Sequence, residues 1–461
     1  MQKILGNKNY PEKDRTESKG YLGVQGFIWI TENNLTKEIQ GYELLEYILS
    51  PSNLNEAYLR VKRNKGVGGV DKMEVKELQG YLMCHKEKLV ESILQGKYQP
   101  NPVRRVEIPK EKGEQRLLGI PTVVDRVVQQ AISQILTRIY EPKFSESSYG
   151  FRPKRNAHQA LKRCQEIITS GYGYAVDLDL SKFFDRVNHS KLVEVLSRTI
   201  KDGRVISLIH KYLNTGVQTI TNYEPTEQGV PQGGPLSPLL SNIMLNELDK
   251  ELESRGHKFV RYADDIVIFC KSKRGSERIM QSITKFIEEK LFLEVNVDKS
   301  QVCRISKVKF LGYSFYKKNG EGRLRIHRKS VSKMKEKLKQ LTSRSNGWGN
   351  ERRKLALRQY IIGWVNYFKL ADMQDQLKQT DGWYRRRLRM VIWKQWKRIS
   401  TKFKNLQKLG IDKYTAWKWS NTRKGYWHIA KSYILSRTIT NERLKLAGYV
   451  FLSDIYNKVK L

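Results

Sequence analysis

Between Lys258 and Phe269, two runs rich in β-branched and aromatic residues flank a tight turn, which predicts a β-hairpin. The second run, Ile266-Val267-Ile268-Phe269, is apolar without alternation, so it suits a strand covered on both faces. Upstream, Tyr174 to Leu180 alternates: Val176, Leu178 and Leu180 share one face, Asp177 and Asp179 the other. Alternation at Leu293, Val295 and Val297 predicts another strand, with a turn following over Asp298-Lys299-Ser300. Prolines bracket a strand-like Val103 to Ile108, which returns from Gln115 to Ile120 through the polar turn Glu111-Lys112-Gly113-Glu114. Helical periodicity marks Tyr42 to Ile48, stopped by Ser50-Pro51, and Leu54 to Val61. It recurs from Val123 to Tyr140 behind Thr122, from Leu239 to Glu253, and from Ser282 to Leu291. After Gly322 the stripes Val331-Met334-Leu338-Leu341 and Tyr360-Ile361-Trp364-Tyr367-Phe368 carry cationic opposite faces. Residues 1 to about 40 are mostly polar around Phe27-Ile28-Trp29-Ile30 and read as a flexible leader.

Charge narrows the function. The 461 residues hold 86 Lys and Arg against 47 Asp and Glu, a net +39. That excess implies a polyanionic partner held over a long surface, with steeply salt-dependent binding. No apolar run is long enough to span a bilayer. The four cysteines, Cys84, Cys164, Cys270 and Cys303, form no C-x-x-C pair, which points to a reducing compartment without a zinc site. No secretion signal is evident, and a cytoplasmic protein acting on nucleic acid fits.

The candidate chemistry lies where acidic residues meet strand ends. Asp264 and Asp265 occupy the hairpin turn, and Asp177 and Asp179 the polar face of the earlier strand. Carboxylates from separate elements can hold two hard cations about 3.5–4 Å apart, activating one oxygen and stabilising another. Alternatively, adjacent aspartates serve the turn, and at least one of Asp177 and Asp185 is expected to cap the segment after it. Lys110 and Arg116 lie on opposite arms of a hairpin and can converge on one anion. Ser148 to His158 interleaves aromatics with cations, a composition suited to bases and phosphates, with His158 read as structural.

Together, Tyr262-Ala263-Asp264-Asp265, the Asp179-to-Phe184 segment and Pro231-Gln232-Gly233-Gly234-Pro235-Leu236-Ser237-Pro238 resemble reverse transcriptases. More narrowly, they resemble the reverse transcriptase–maturases encoded by bacterial group II introns. The resemblance implies an α+β fold, a right-hand polymerase with fingers, a palm built on an antiparallel sheet, a helical thumb and a small basic helical C-terminal domain. It divides the chain into a leader (1–40), fingers (41–172), palm (173–320), thumb and maturase domain (321–400) and DNA-binding domain (401–461). It implies catalysis by Asp179, Asp264 and Asp265. Two Mg²⁺ ions would be held by Asp179, Leu180, Asp264 and Asp265, with Mn²⁺ able to substitute. Incoming dNTPs would meet Lys110, Arg116, Arg152, Phe184, Gln232 and Lys299, with Phe184 excluding a 2′-hydroxyl. Primer and template would meet Arg63, Lys65, Gly312 and Tyr313. The implied partners are group II intron RNA, an RNA template with a DNA or RNA primer, and target DNA, with no membrane, in a nucleoid-associated setting. The chain lacks the cysteine–histidine endonuclease of longer relatives, as in the compact class C proteins, so target-strand cleavage is not expected of it. A splicing-only maturase and another retroelement or defence-associated reverse transcriptase are the competing readings.

Overall fold

The computed structural model describes residues 43–109, 115–219 and 222–460. Lys110, the turn after it and the 1–40 leader lie outside the described residues, as does the Arg116 side chain. The strands in chain order are β1 Val103–Pro109, β2 Gln115–Ile120, β3 Tyr174–Leu178, β4 Val217–Gln218 and β5 Tyr223–Glu224. They continue as β6 Lys258–Tyr262, β7 Asp265–Cys270, β8 Gln301–Arg304, β9 Tyr313–Lys318 and β10 Glu321–Ile326. Helices and largely antiparallel sheets are mixed, as the α+β expectation has it, with β1 and β4 a parallel pair. Among the described residues, no helix is long and apolar enough to cross a membrane.

Contacts divide the chain into two compact units. Among the described residues, the first holds those up to Glu146 together with those within Leu180–Lys250 and Phe286–Glu294. Its central helix, Val123–Tyr140, has the predicted bounds because Thr122 caps it: the hydroxyl accepts from the Asp125 amide at 3.1 Å. The fully buried Asp125 carboxylate in turn accepts from the Tyr98 and Thr122 hydroxyls, both at 2.6 Å. Val128, Ala131, Ile132 and Leu136 are completely covered, and the Pro51–Asn64 helix packs alongside. A sheet ordered β2-β1-β4-β5 completes this unit's described strands. On its edge strand β2, Gly119 donates to the Gln232 carbonyl at 2.7 Å, and a side chain there would strike Val103 at 2.7 Å.

The second unit holds Ser147–Asp179, Glu251–Lys285 and Val295–Leu461. Its sheet runs β6-β7-β3-β8, every pair antiparallel. β7 lies between β6 and β3, and Ile266 through Cys270 are all buried, which is what an unalternating apolar run requires. The Ala157–Thr169 helix lies against it, opened by a capping box between Asn156 and Gln159. One apolar core joins Leu161, Val260, Val267 and Phe269 to Phe310 and Tyr313, then to Leu338, Ile361, Trp393 and Tyr456. The Arg328–Leu341, Asn350–Phe368 and Gln374–Gln395 helices therefore share a core with the sheet.

Three expectations change. Leu293 to Val297 is no strand. Leu293 and Val295 are buried, but the ladder partner of β3 is Gln301–Arg304, and Val297 is exposed. The Asn296 amide bonds to the Asp179 carbonyl at 2.8 Å, and the Ser300 amide closes a turn onto the Asn296 carbonyl at 2.8 Å. The helix expected from Ser282 begins at Lys273, where the Ser272 hydroxyl accepts from the Gly275 amide at 3.1 Å. Neither Asp177 nor Asp185 is a cap: Asp177 sits within β3 and Asp185 inside the short Phe183–Arg186 helix.

Candidate active site

The acidic site belongs to the second unit and follows from strand register. β3 pairs with β7 through Leu178↔Ile266 and Asp177↔Val267, so Asp179 emerges one step beyond the last pair, toward the end where β7 begins with Asp265. The hairpin between β6 and β7 closes at Tyr262↔Asp265, leaving Ala263 and Asp264 as its two-residue loop. Four carboxylates from two separate chain segments thus gather at one end of a buried sheet. The Asp179 backbone is fixed from both sides: its amide donates to the Ser300 hydroxyl at 3.0 Å and its carbonyl accepts from the Asn296 amide at 2.8 Å.

These groups lie close enough to act on one another electrostatically. Asp265 stays exposed to solvent at the start of β7, but the protein packed around its carboxyl pushes it up to about 6, and the charges of Asp264, Asp179 and Asp177 push the same way, against Lys309. Asp177 also rises to about 6, again chiefly by burial, with Asp179 adding to it and the Gln301 amide opposing it at 3.5 Å. Among the described residues, no three Asp, Glu, His or Cys side chains already stand in a metal-holding arrangement. The donors nonetheless fit a hard divalent cation in kind, being all oxygen, partly desolvated and mutually repelling.

A second concavity belongs wholly to the first unit. Phe184, Asp185, Asn188, Gln232, Gly119 and Arg105 are among the residues around a cavity of about 800 Å³. Phe184 is half-buried, packed edge-on against Phe183 at 5.3 Å between ring centres. Its carbonyl accepts from the Val230 amide at 2.6 Å. Gly229, at φ +94°, lies so close that a side chain would meet the Phe184 and Asp185 carbonyl oxygens within about 3.0 Å. The Gln232 amide donates to Asp185 at 3.3 Å, a partnership that sequence reading missed because the two lie far apart in the chain.

The remaining candidates are scattered between the units. In the first, Arg63 and Lys65 are exposed at the end of the Pro51–Asn64 helix, where Lys65 adopts φ +47°. Lys62, Lys65, Lys72, Lys76 and Arg104 surround a cavity of about 660 Å³ there. In the second, Lys299 is exposed on the turn after Asn296. Arg152 is buried and donates to the Ser148 carbonyl at 2.9 Å, so it braces its own loop. Leu311 (φ +50°) and Gly312 (φ +81°) form a two-residue turn bridged by Phe310 and Tyr313. Tyr313 is fully buried, and its hydroxyl donates to the Tyr367 carbonyl. His158 reaches the same carbonyl at 2.7 Å, which makes it structural as expected.

Two family signatures match the chain. "Reverse transcriptase (RNA-dependent DNA polymerase)" covers residues 108–315, and "Group II intron, maturase-specific domain" covers 331–410. Protein YkfC of Escherichia coli (strain K12) is 33% identical over 325 residues, covering 61% of this chain and 85% of that protein. Group II intron-encoded protein LtrA of Lactococcus lactis subsp. cremoris is 31% identical over 365 residues, 65% of this chain but 59% of its own length. Nuclear intron maturase 2 of Arabidopsis thaliana is 31% identical over 203 residues, 35% of this chain and 28% of that protein. With acidic strand ends inside the first signature and the basic helices inside the second, the chain belongs to the group II intron-encoded reverse transcriptase–maturases.

Proposed function

We propose that this protein extends a primer 3′-hydroxyl with deoxynucleotides on an RNA template. In the same reading it binds group II intron RNA, assists its splicing and copies it at a DNA target. The observation that carries this is the β3–β7 register, which draws Asp179 toward Asp264 and Asp265 from a distant stretch of chain. In this reading Asp179, Asp264 and Asp265, with Leu180, hold divalent cations, Mg²⁺ in the first instance. Bound there, such ions would lower the pKa of the attacking hydroxyl and neutralise charge on the leaving pyrophosphate. Asp179 is the residue whose backbone is bolted on two sides, which suits a carboxylate that must not drift.

Phe184 takes the role of reading the sugar: Val230 and Gly229 fix the backbone that carries it, and its ring is the group that would exclude a 2′-hydroxyl. Gln232, tied to Asp185, shares that cavity and is assigned to the nucleotide. Lys110, Arg116 and Lys299 keep their proposed contacts with the triphosphate. Arg63 and Lys65 take backbone phosphates of template and primer, and Gly312 and Tyr313 the primer end. LtrA is by name an intron-encoded protein, which supports intron RNA as the partner.

The test is primer extension on an RNA template by the wild type and by Asp264→Ala with Asp265→Ala. The double variant is expected to lose cDNA synthesis while binding RNA as before. Equal synthesis by both would refute the assignment. No synthesis by either, with intron RNA still bound, would favour a splicing-only protein.

A further inference from the structure

The turn that carries Asp264 is not held by its two loop residues alone. Two-residue hairpin loops favour glycine or asparagine where φ is positive. Here Ala263 occupies that region at φ +57°, a conformation costing a residue with a Cβ roughly 1–2 kcal/mol. Contacts around the loop must therefore impose it, and two residues meet the backbone of this alanine, one at its carbonyl and one at its nitrogen.

The first is Arg261. Its side chain is completely buried, although placing a guanidinium away from water is costly. Its Nη1 donates to the Ala263 carbonyl at 3.0 Å. That carbonyl belongs to the peptide leading into Asp264, so Arg261 sets the plane from which the Asp264 side chain departs. The second is Gly150. The segment before it is paired to Arg261: the Arg261 amide donates to the Ser147 carbonyl, and the Tyr149 amide to the Arg261 carbonyl, both at 2.9 Å. Gly150 is thereby pressed onto the turn. A side chain on it would overlap the Ala263 nitrogen and come within 2.9 Å of the Tyr262 carbonyl carbon. These are backbone atoms, which cannot swing aside as a flexible side chain would.

We infer that Arg261 and Gly150 are positioning residues for the acidic site, Arg261 holding the peptide after Ala263 and Gly150 lying against the peptide before it, so that Asp264 is aimed before any cation or nucleotide arrives. The inference rests on the proposed role of Asp264 as a cation ligand. It assigns the Ser147–Gly150 segment to support of the turn, and it makes glycine at 150 a requirement of close approach. Residues that orient metal ligands typically alter metal affinity by 10–100-fold when changed.

The experiment compares the wild type, Gly150→Ala, Arg261→Lys and Asp264→Asn as full chains. Mn²⁺ binding is read by electron paramagnetic resonance without nucleic acid. The Mg²⁺ concentration giving half-maximal primer extension, RNA binding and thermal melting are measured alongside. Gly150→Ala and Arg261→Lys are expected to melt cooperatively and to bind RNA as the wild type does. Both should weaken Mn²⁺ binding, and raise the half-saturating Mg²⁺ concentration, by about tenfold. A purely structural role would lower the melting temperature without moving the cation dependence. If Gly150→Ala does not fold, Arg261→Lys decides alone. If neither folds, the pair is a pillar of the hairpin and the positioning role is overturned. Wild-type cation binding by a folded Arg261→Lys overturns it as well, provided Asp264→Asn has lost binding. Unchanged binding by Asp264→Asn would instead sink the cation-ligand reading beneath it.

Discussion

Asp265→Asn is expected to stabilise the cation-free protein while disabling it. The substitution keeps the side chain's shape and removes one negative charge from a group of four. In the folded protein the Asp265 carboxyl is raised from the ordinary 3.8 to about 6, first by burial, then by Asp264, Asp179 and Asp177. A raised carboxylate favours the folded state while protonated. Its contribution is complete below the unfolded value and is lost as pH rises through about 6. At pH 7.5 the ionised group therefore opposes folding, by at most about 3 kcal/mol at 1.36 kcal/mol per pH unit. The residue keeps solvent contact, so screening reduces this to about 1 kcal/mol. For a chain of this size that corresponds to about 2 °C in melting temperature. The assay is thermal melting in chelator between pH 5 and 8, beside primer extension in Mg²⁺. The wild type should gain stability as pH falls through 6. The variant should melt higher at pH 7.5, depend less on pH, and synthesise at least about 100-fold less cDNA, as expected when transition-state charge loses its electrostatic support. A variant that melts lower at pH 7.5, or keeps the wild-type pH slope, would refute the account of mutual repulsion.

Other expectations follow from the same structure. Phe184→Ala opens space beneath the sugar, so ribonucleotide incorporation should rise relative to deoxynucleotides in single-nucleotide extension; unchanged selection would remove Phe184 from that role. Asp381 is fully buried and accepts from the Leu452 and Ser453 amides and the Ser453 hydroxyl at 3.0, 2.9 and 2.6 Å. Asp381→Ala should cost about 3 kcal/mol by stranding those donors at the start of the last helix, read as a lower denaturant midpoint. Replacing Lys62 and Lys65 with Gln should reduce the slope of log affinity for RNA against log salt by about 1 for each phosphate no longer neutralised. An unchanged slope would place the RNA elsewhere.

Much of this molecule was written in short-range pattern. The unbroken apolar run Ile266 to Phe269 could only be satisfied inside a sheet, and it lies at β7 between two partners. Thr122 and the apolar stripe behind it specified both ends of the Val123–Tyr140 helix, because capping and periodicity are local interactions. The alternation of Asp177 and Asp179 likewise settled which face of β3 is acidic. Tertiary structure decided the rest, wherever the determining partner is distant in sequence. Leu293 and Val295 alternate as a strand does, yet the ladder on β3 went to Gln301–Arg304, since pairing depends on which backbone reaches the open edge. Nothing in Gly150 or Arg261 as letters announces the turn they press upon. Close backbone approach and a buried guanidinium exist only once the Ser147–Gly150 segment lies beside β6.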